Sequence, residues 1–385
     1  MIYLDHNATT PLCAAARAAM EPYLAHHFGN PSSVHAAGRE ARAAIDNARD
    51  SLASLLRARP HELIFTSGGT EANNLALLGL ARALAPKGKH LISNRAEQHA
   101  VLNTLEHLAA REGFEVTWLD VSREGLVDPA ALAAAIRPDT TLVSIMAANN
   151  ETGVIQPMAE ISAICRERGV LLHSDMVQAF GKLEVDLRTV DAASFAAHKF
   201  YGPKGAGLVY LRAGLPIEQI QFGGSHEGER RPGTENVAAI AGMAAAAEFV
   251  RQHPPNESVL RDQLWAGMSE IFPAAQRNGA EAPHLANTLN VSFPGHSSET
   301  LLMALDLDGV CASSGSACMV GSVVSSHVLL AMGFPTERAA SAVRFSLGKE
   351  TTAAEIEETL AALGRIFTRF ARRTAGATRT EHAFV

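Results

Sequence analysis

Leu63-Ile-Phe-Thr-Ser-Gly-Gly-Thr-Glu71 is the stretch that decides the fold. A short run of strand-forming residues enters a glycine pair, and an amphipathic stretch, Glu71–Leu84, opens directly behind it. The same alternation continues outward. Apolar runs at His90–Ser93, Phe114–Leu119, Thr141–Ala147, Leu171–Ser174, Ser194–Ala197 and Gly207–Leu211 predict further strands. Helical patterns at Ala100–Glu112, Pro129–Ile136 and Pro157–Arg168 fall between several of them. Strand–helix alternation of this kind predicts an α/β domain with a mostly parallel sheet. No helix separates the last two strand candidates, so part of the sheet is expected to be mixed.

Beyond Arg251–Ser258, which holds Pro254, Pro255 and Asn256, the pattern changes. Helices near Val259–Ile271 and Ser298–Leu305, strands at Thr288–Phe293 and Ala342–Leu347, and a last helix from Thr352 to about Arg372 predict a smaller α+β unit. The expected organisation is a large domain over residues 12–255, a small domain over 1–11 and 256–373, and a flexible tail over 374–385.

Composition excludes several classes of protein. The 385 residues are 47% hydrophobic and 19% charged, as expected of a globular chain. The formal net charge of −7 and the lack of a basic block argue against nucleic-acid binding. No stretch reaches the roughly 18 apolar residues of a membrane span. The longest candidate, Val237–Val250, is Ala-rich, interrupted by Glu248, and suits a buried helix. The N-terminus lacks a signal-peptide pattern. Cys13, Cys165, Cys311 and Cys318 form neither a CxxC pair nor a zinc spacing. A cytoplasmic protein without a bound metal is the expectation.

Three signals in chain order imply a cofactor. The turn carrying Gly69 and Thr70 opens a helix, whose free N–H groups form an anion site. Asp175 follows the buried run Leu171-Leu-His-Ser174, where open α/β sheets bind ligands. His198 and Lys199 follow another buried run, a position where a lysine loses water and becomes a Schiff-base amine. Taken singly, each has an ordinary structural explanation as a cap, a loop residue or a solvated lysine. A phosphate cradle, an acid for a pyridine nitrogen and an imine-forming lysine are together what pyridoxal 5′-phosphate (PLP) requires. Cys318 lies in the small-residue loop Ser313-Ser-Gly-Ser-Ala-Cys318, which predicts an accessible thiol. Arg344 lies inside the apolar run Val343–Leu347, so it either faces a cavity as a carboxylate ligand or forms a structural ion pair.

These residues resemble cysteine desulfurases of the NifS/IscS type, within the class V aminotransferase group of fold-type I PLP enzymes. Tyr3-Leu-Asp-His-Asn-Ala-Thr-Thr-Pro11, Phe28-Gly-Asn-Pro-Ser32, Asn149-Asn-Glu-Thr-Gly153, Gly233-Thr-Glu-Asn236 and Arg344-Phe-Ser-Leu-Gly348 complete the match. The resemblance implies a homodimer that converts L-cysteine to L-alanine, places a persulfide on Cys318 and passes sulfur to an acceptor protein. By the same resemblance Lys199 carries PLP, Asp175 pairs with its ring nitrogen and Gln178 bonds its ring oxygen. Thr70 and His198 hold the phosphate, with Thr234 of a second subunit, and Asn150 and Arg344 bind the substrate carboxylate. Three positions depart from the family pattern. Gln98 stands where a ring-stacking His is usual, with His99 one place later. Ala196 replaces a phosphate-binding Ser, and Met319–Ser325 lacks a Glu-Pro. Gln98 supports an alternative, a PLP lyase acting on selenocysteine or a cysteine conjugate. A weakly active sulfur-relay or scaffold subunit is the alternative outside that class.

Overall fold

The computed structural model describes residues 1–315 and 325–381, those from 373 onward by backbone alone. Cys318 lies outside the described residues.

The predicted strands assemble into a seven-stranded sheet. Its order is Leu63–Thr66, Gly207–Leu211, Ala192–Ala196, Leu171–Asp175, Thr140–Ser144, His90–Asn94 and Glu115–Leu119. The five strands from Ala192–Ala196 onward in that order are mutually parallel. Gly207–Leu211 runs antiparallel to both its neighbours, which is the mixed character expected from the missing helix. The inner strands are buried along almost their whole length because both their faces are covered. On one face, Gly69–Leu84 and His99–Glu112 bury Leu75, Leu77, Leu80, Leu105 and Leu108 against Ile64, Leu91, Leu142 and Val209. On the other, Met158–Arg168 and Val237–Gln252 pack Ile161, Cys165, Ala246 and Val250 into a core with Phe65, Val143, Leu172 and Phe195.

Two helices that the sequence pattern did not predict, Ala14–Ala25 and Ala36–Leu56, extend this second layer. Their buried faces are carried largely by alanine. The first contains Pro22 and buries only Ala16.

A second, three-stranded antiparallel sheet places Thr288–Ser292 between Ala342–Ser346 and Gln276–Arg277. Ser258–Ile271, Ser298–Leu307 and Ala353–Glu381 cover it with Leu264, Met268, Leu301, Leu305, Leu363 and Ile366. The last helix runs past Arg372, where the sequence pattern ends, to Glu381. The N-terminal strand Ile2–Tyr3 pairs in parallel with Val310–Cys311, and Asp5 bridges Ser346. This carries the following residues, Asn7 and Ala8, to the carboxyl edge of the large sheet, where the loops after its parallel strands gather. Among the described residues, no helix is long and apolar enough to cross a membrane.

Candidate active site

A cleft of about 190 Å³ opens at that carboxyl edge, with Lys199, Asp175, Gly69, Thr70, Gln98 and Arg344 among its lining residues.

One end is built by the turn that opened the sequence analysis. Gly69 and Thr70 begin the Gly69–Leu84 helix, so their N–H groups lack partners within the helix. A Cβ on Gly69 would lie 2.8 Å from a Val177 methyl carbon, so a side chain there would crowd the cleft wall. A Cβ on Gly207 would meet the Gly68 backbone at 2.5 Å, so the reversed strand can flank the turn only as glycine. Glu71 accepts from the Ser67 N–H at 2.7 Å and from Arg231 Nε at 2.7 Å, which holds the turn from outside. Burial pushes the Glu71 carboxyl up, but the bonds from Arg231 and Ser67 outweigh it and hold the group below its usual range. Ala196 lines the same end and offers no hydroxyl.

Asp175 ends its strand with the side chain buried. It accepts from Asn73 Nδ2 at 2.7 Å and from the Val177 N–H at 2.9 Å. Burial raises its pKa, and the Lys199 charge acts in the opposite direction. A carboxyl in this state gains from a cation placed against it.

Lys199 closes the one-turn helix Ala197–Lys199 behind the strand Ala192–Ala196. Its Nζ donates to the carbonyls of Asn7 and Ala8, each at 2.7 Å. His198 Nδ1 lies 3.2 Å from Thr9 Oγ1, and burial, with the Lys199 charge, lowers its pKa to about 4. Gln178 Nε2 donates to the Asn7 carbonyl at 2.9 Å.

Arg344 faces the cleft and also forms an ion pair. It lines the cleft, and its Nη2 donates to Asp5 Oδ1 at 2.7 Å while Nη1 donates to the Asn150 carbonyl at 2.9 Å. Its Nε has no partner among the described residues.

Gln98 caps the His99–Glu112 helix by accepting from the Ala100 N–H at 2.6 Å, and it lines the cleft. His99 is not among the lining residues; its ring centroid lies 4.4 Å from that of His327. Thr234 is exposed and lies in a different depression, beside Ser67 and Arg231. Of the described cysteines, Cys165 is buried, and burial followed by the Asp191 charge pushes its thiol up to about 12. Sequence reasoning did not single out Asn73, the Asn7 and Ala8 carbonyls, or Lys182. For Asn7 and Ala8 the available signal was the Tyr3–Pro11 motif itself.

The aminotransferase class-V domain matches residues 2–359. The chain belongs to the class-V aminotransferase family. The cysteine desulfurase IscS of Dictyoglomus turgidum is 46% identical over 371 residues, covering 95% of this chain and 94% of that protein. A solved NifS-like protein superposes with a TM-score of 0.88 at 36% identity, covering 95% of this chain and 99% of that one. The structure of SspA in complex with cysteine has a TM-score of 0.81 at 33% identity, covering 91% of this chain and 100% of that one. The cofactor of this class-V aminotransferase is PLP, and the cleft fits it: free helix N-terminal N–H groups suit a phosphate, and a buried carboxyl suits a protonated ring nitrogen.

One consequence of the buried sheet concerns acid stability. His173 is enclosed between Ser144 Oγ at 2.9 Å and Ser194 Oγ at 3.0 Å, and burial lowers its pKa to about 3. Above the ordinary pKa of about 6.5 it is neutral in both folded and unfolded chains and contributes no pH dependence. As pH falls below that value the unfolded chain takes up a proton that the folded chain refuses, so stability drops until the folded pKa is reached. His173→Gln is expected to remove this share. Urea unfolding of wild type and variant should diverge by about 1.4 kcal/mol per pH unit between roughly pH 6.5 and 3. Parallel profiles would show that His173 does not resist protonation.

Proposed function

We propose that this chain is a PLP-dependent cysteine desulfurase that converts L-cysteine to L-alanine, holds the sulfur as a persulfide on Cys318 and passes it to an acceptor thiol. The observation that carries this reading is the convergence of Lys199, Asp175 and Arg344 on one cleft, with the Gly69–Thr70 turn at its end. The relatives named cysteine desulfurase support the substrate.

When bound, PLP supplies an electron sink for the bonds broken at the substrate carbons. Gly69 and Thr70 would hold its phosphate at the helix N-terminus, with neutral His198 as a further donor. Asp175 would keep the proton on the ring nitrogen, and Gln178 would donate to the ring oxygen. Lys199 would anchor the cofactor, and its amine, when free, would move the proton at the substrate Cα. Arg344 and Asn150 bind the substrate carboxylate. The Cys318 thiolate attacks the substrate sulfur: an S–S bond forms as the C–S bond breaks, and the electron pair of that bond stays with carbon.

The active unit in this reading is a homodimer of two-domain subunits, 12–255 large and 1–11 with 256–373 small. Thr234 lies outside its own chain's cleft and is assigned to the partner's phosphate site. Exposed Phe28, Val34 and Phe222 support a covered face. Unpaired Cys13, Cys165 and Cys311 support a reducing compartment, the cytoplasm.

The purified protein with L-cysteine is expected to yield alanine, with sulfide appearing when reductant is added. Cys318→Ala is expected to keep the cofactor's absorbance and lose the sulfide. Sulfide release undiminished in that variant would remove Cys318 from the mechanism. Sedimentation over a dilution series is expected to show a dimer, with activity falling as it dissociates; a fully active monomer would end the shared-site reading.

Gln98 generates the most specific expectation. Its amide reaches the cleft but carries no titratable proton near neutral pH, whereas a general acid–base group contributes about 10²–10⁴-fold. Wild-type turnover on free L-cysteine is therefore expected to be slow, and Gln98→His to raise it within that range. Fast wild-type turnover that collapses in His99→Ala would instead give the proton work to His99.

A further inference from the structure

Two lysines meet at Asn7, and the mechanism above uses only one of them. Lys199 donates to the Asn7 backbone carbonyl at 2.7 Å, and Lys182 Nζ donates to the Asn7 side-chain oxygen at 2.9 Å. Lys182 also donates to Gln178 Oε1. Lys182 follows Gln178 by four residues across a turn closed by the Lys182 N–H to Ala179 O bond at 3.0 Å, and the bond between the two side chains holds their ends together. Gly181, at φ +77° and with a Cβ position 3.1 Å from Val250, lets this turn press against the Val237–Gln252 helix.

The Lys182 ammonium is enclosed. It lines a small chamber behind Lys199, shared with His6, Tyr201, Glu257 and Lys349. Among the described residues no carboxylate lies within ion-pair distance of it. Glu257 is the acid whose charge acts on it, and that group faces Lys349 at 3.9 Å. Burial first, then the Lys199 and Arg344 charges, hold the Lys182 pKa well below its ordinary value. A lysine desolvated at this cost, with its N–H groups aimed at two side-chain oxygens, has a task other than solubility.

That task follows from the chemistry of its neighbours. A backbone carbonyl only accepts, so the end of Gln178 lying 2.9 Å from the Asn7 carbonyl has to be the NH₂. The other end is then the oxygen, and Lys182 supplies its donor. Lys182 also fixes Asn7, whose side-chain oxygen it shares with Asn287 Nδ2 at 3.1 Å and whose Nδ2 donates to Thr288 Oγ1 at 2.9 Å.

We propose that Lys182 is a positioning residue for the cofactor: by holding the Gln178 carbonyl oxygen it directs the Gln178 N–H toward the cofactor's ring oxygen. This rests on the PLP reading above and adds to it a residue that touches neither cofactor nor substrate. Lys182→Met removes the donor while keeping most of the length of the unbranched side chain. Loss of the N–H donor to the ring oxygen leaves that oxygen more basic, so the pH midpoint of the bound cofactor's absorbance change is expected to rise by about one unit.

The test is a double-mutant cycle read by that midpoint: wild type, Lys182→Met, Gln178→Ala and the double variant, with thermal melts to confirm folding. The expected result is a clear shift from Lys182→Met when Gln178 is present and little further shift when it is absent. Equal shifts in both backgrounds would mean that Lys182 acts by charge alone, and an unmoved midpoint with a lowered melting temperature would mean a merely structural lysine. Either result overturns the proposal. If Lys182→Met does not fold, Lys182→Gln enters the same cycle and is read by the same outcomes. A wild type with no cofactor band would overturn the PLP reading and this proposal with it, whereas equal shifts overturn this proposal alone.

Discussion

The two 2.7 Å hydrogen bonds from Lys199 to the Asn7 and Ala8 carbonyls join the halves of the site. The segment that accepts them is otherwise held by the smaller sheet: Asp5 bridges Ser346 and pairs with Arg344, and Asn7 bonds Ser346 and Thr288 through its N–H and Nδ2. The lysine grows from the large sheet and the guanidinium from the small one. Eight residues at the very start of the chain bring them to the same cleft. These bonds span more than 190 positions in sequence between Asn7 and Lys199, so they form only when both sheets are in place.

Electrostatics then divides the cleft. Lys199 and Arg344 place positive charge around Asn7, while Asp175 sits with its amide partner Asn73 near the helix that begins at Gly69. Burial first, and then the Lys199 charge, disfavour the charged form of Lys182. Asp175 has the opposite need, a buried carboxyl short of a cation. The site is thus set up for a ligand with two anionic groups and one cationic nitrogen.

Much of this was legible in the sequence. The strands of the large sheet declared themselves because apolar residues cluster in short runs at each of them, most of them buried. Leu63–Thr66 and Gly207–Leu211 agree to the residue. Lys199, Asp175 and the Gly69 turn were readable because each sits at the end of such a run. The helices Ala14–Ala25 and Ala36–Leu56 were not, since alanine carries little hydrophobic contrast even where Ala41, Ala44 and Ala48 are all buried. Lys182 and Asn7 were hidden for a different reason. Their importance lies in which oxygen meets which N–H, and local pattern holds no record of that. Gln98 and His99 could be separated only by the cap, where Gln98 turns its amide to Ala100 and His99 is left to meet His327.

Arg344 stands on a different sheet from every residue assigned to the cofactor. The strand that carries it, Ala342–Ser346, has its own core of Leu289, Val291, Phe293 and Phe345, separate from the layers around the large sheet. In the reading proposed above, the guanidinium offered to the substrate's carboxylate and the seat of the cofactor therefore answer to different sets of packing. Mutations that retune the smaller sheet can change which amino acid is accepted while the cofactor's seat is inherited untouched, so new substrate preferences can arise in this architecture without passing through a form that has lost its chemistry.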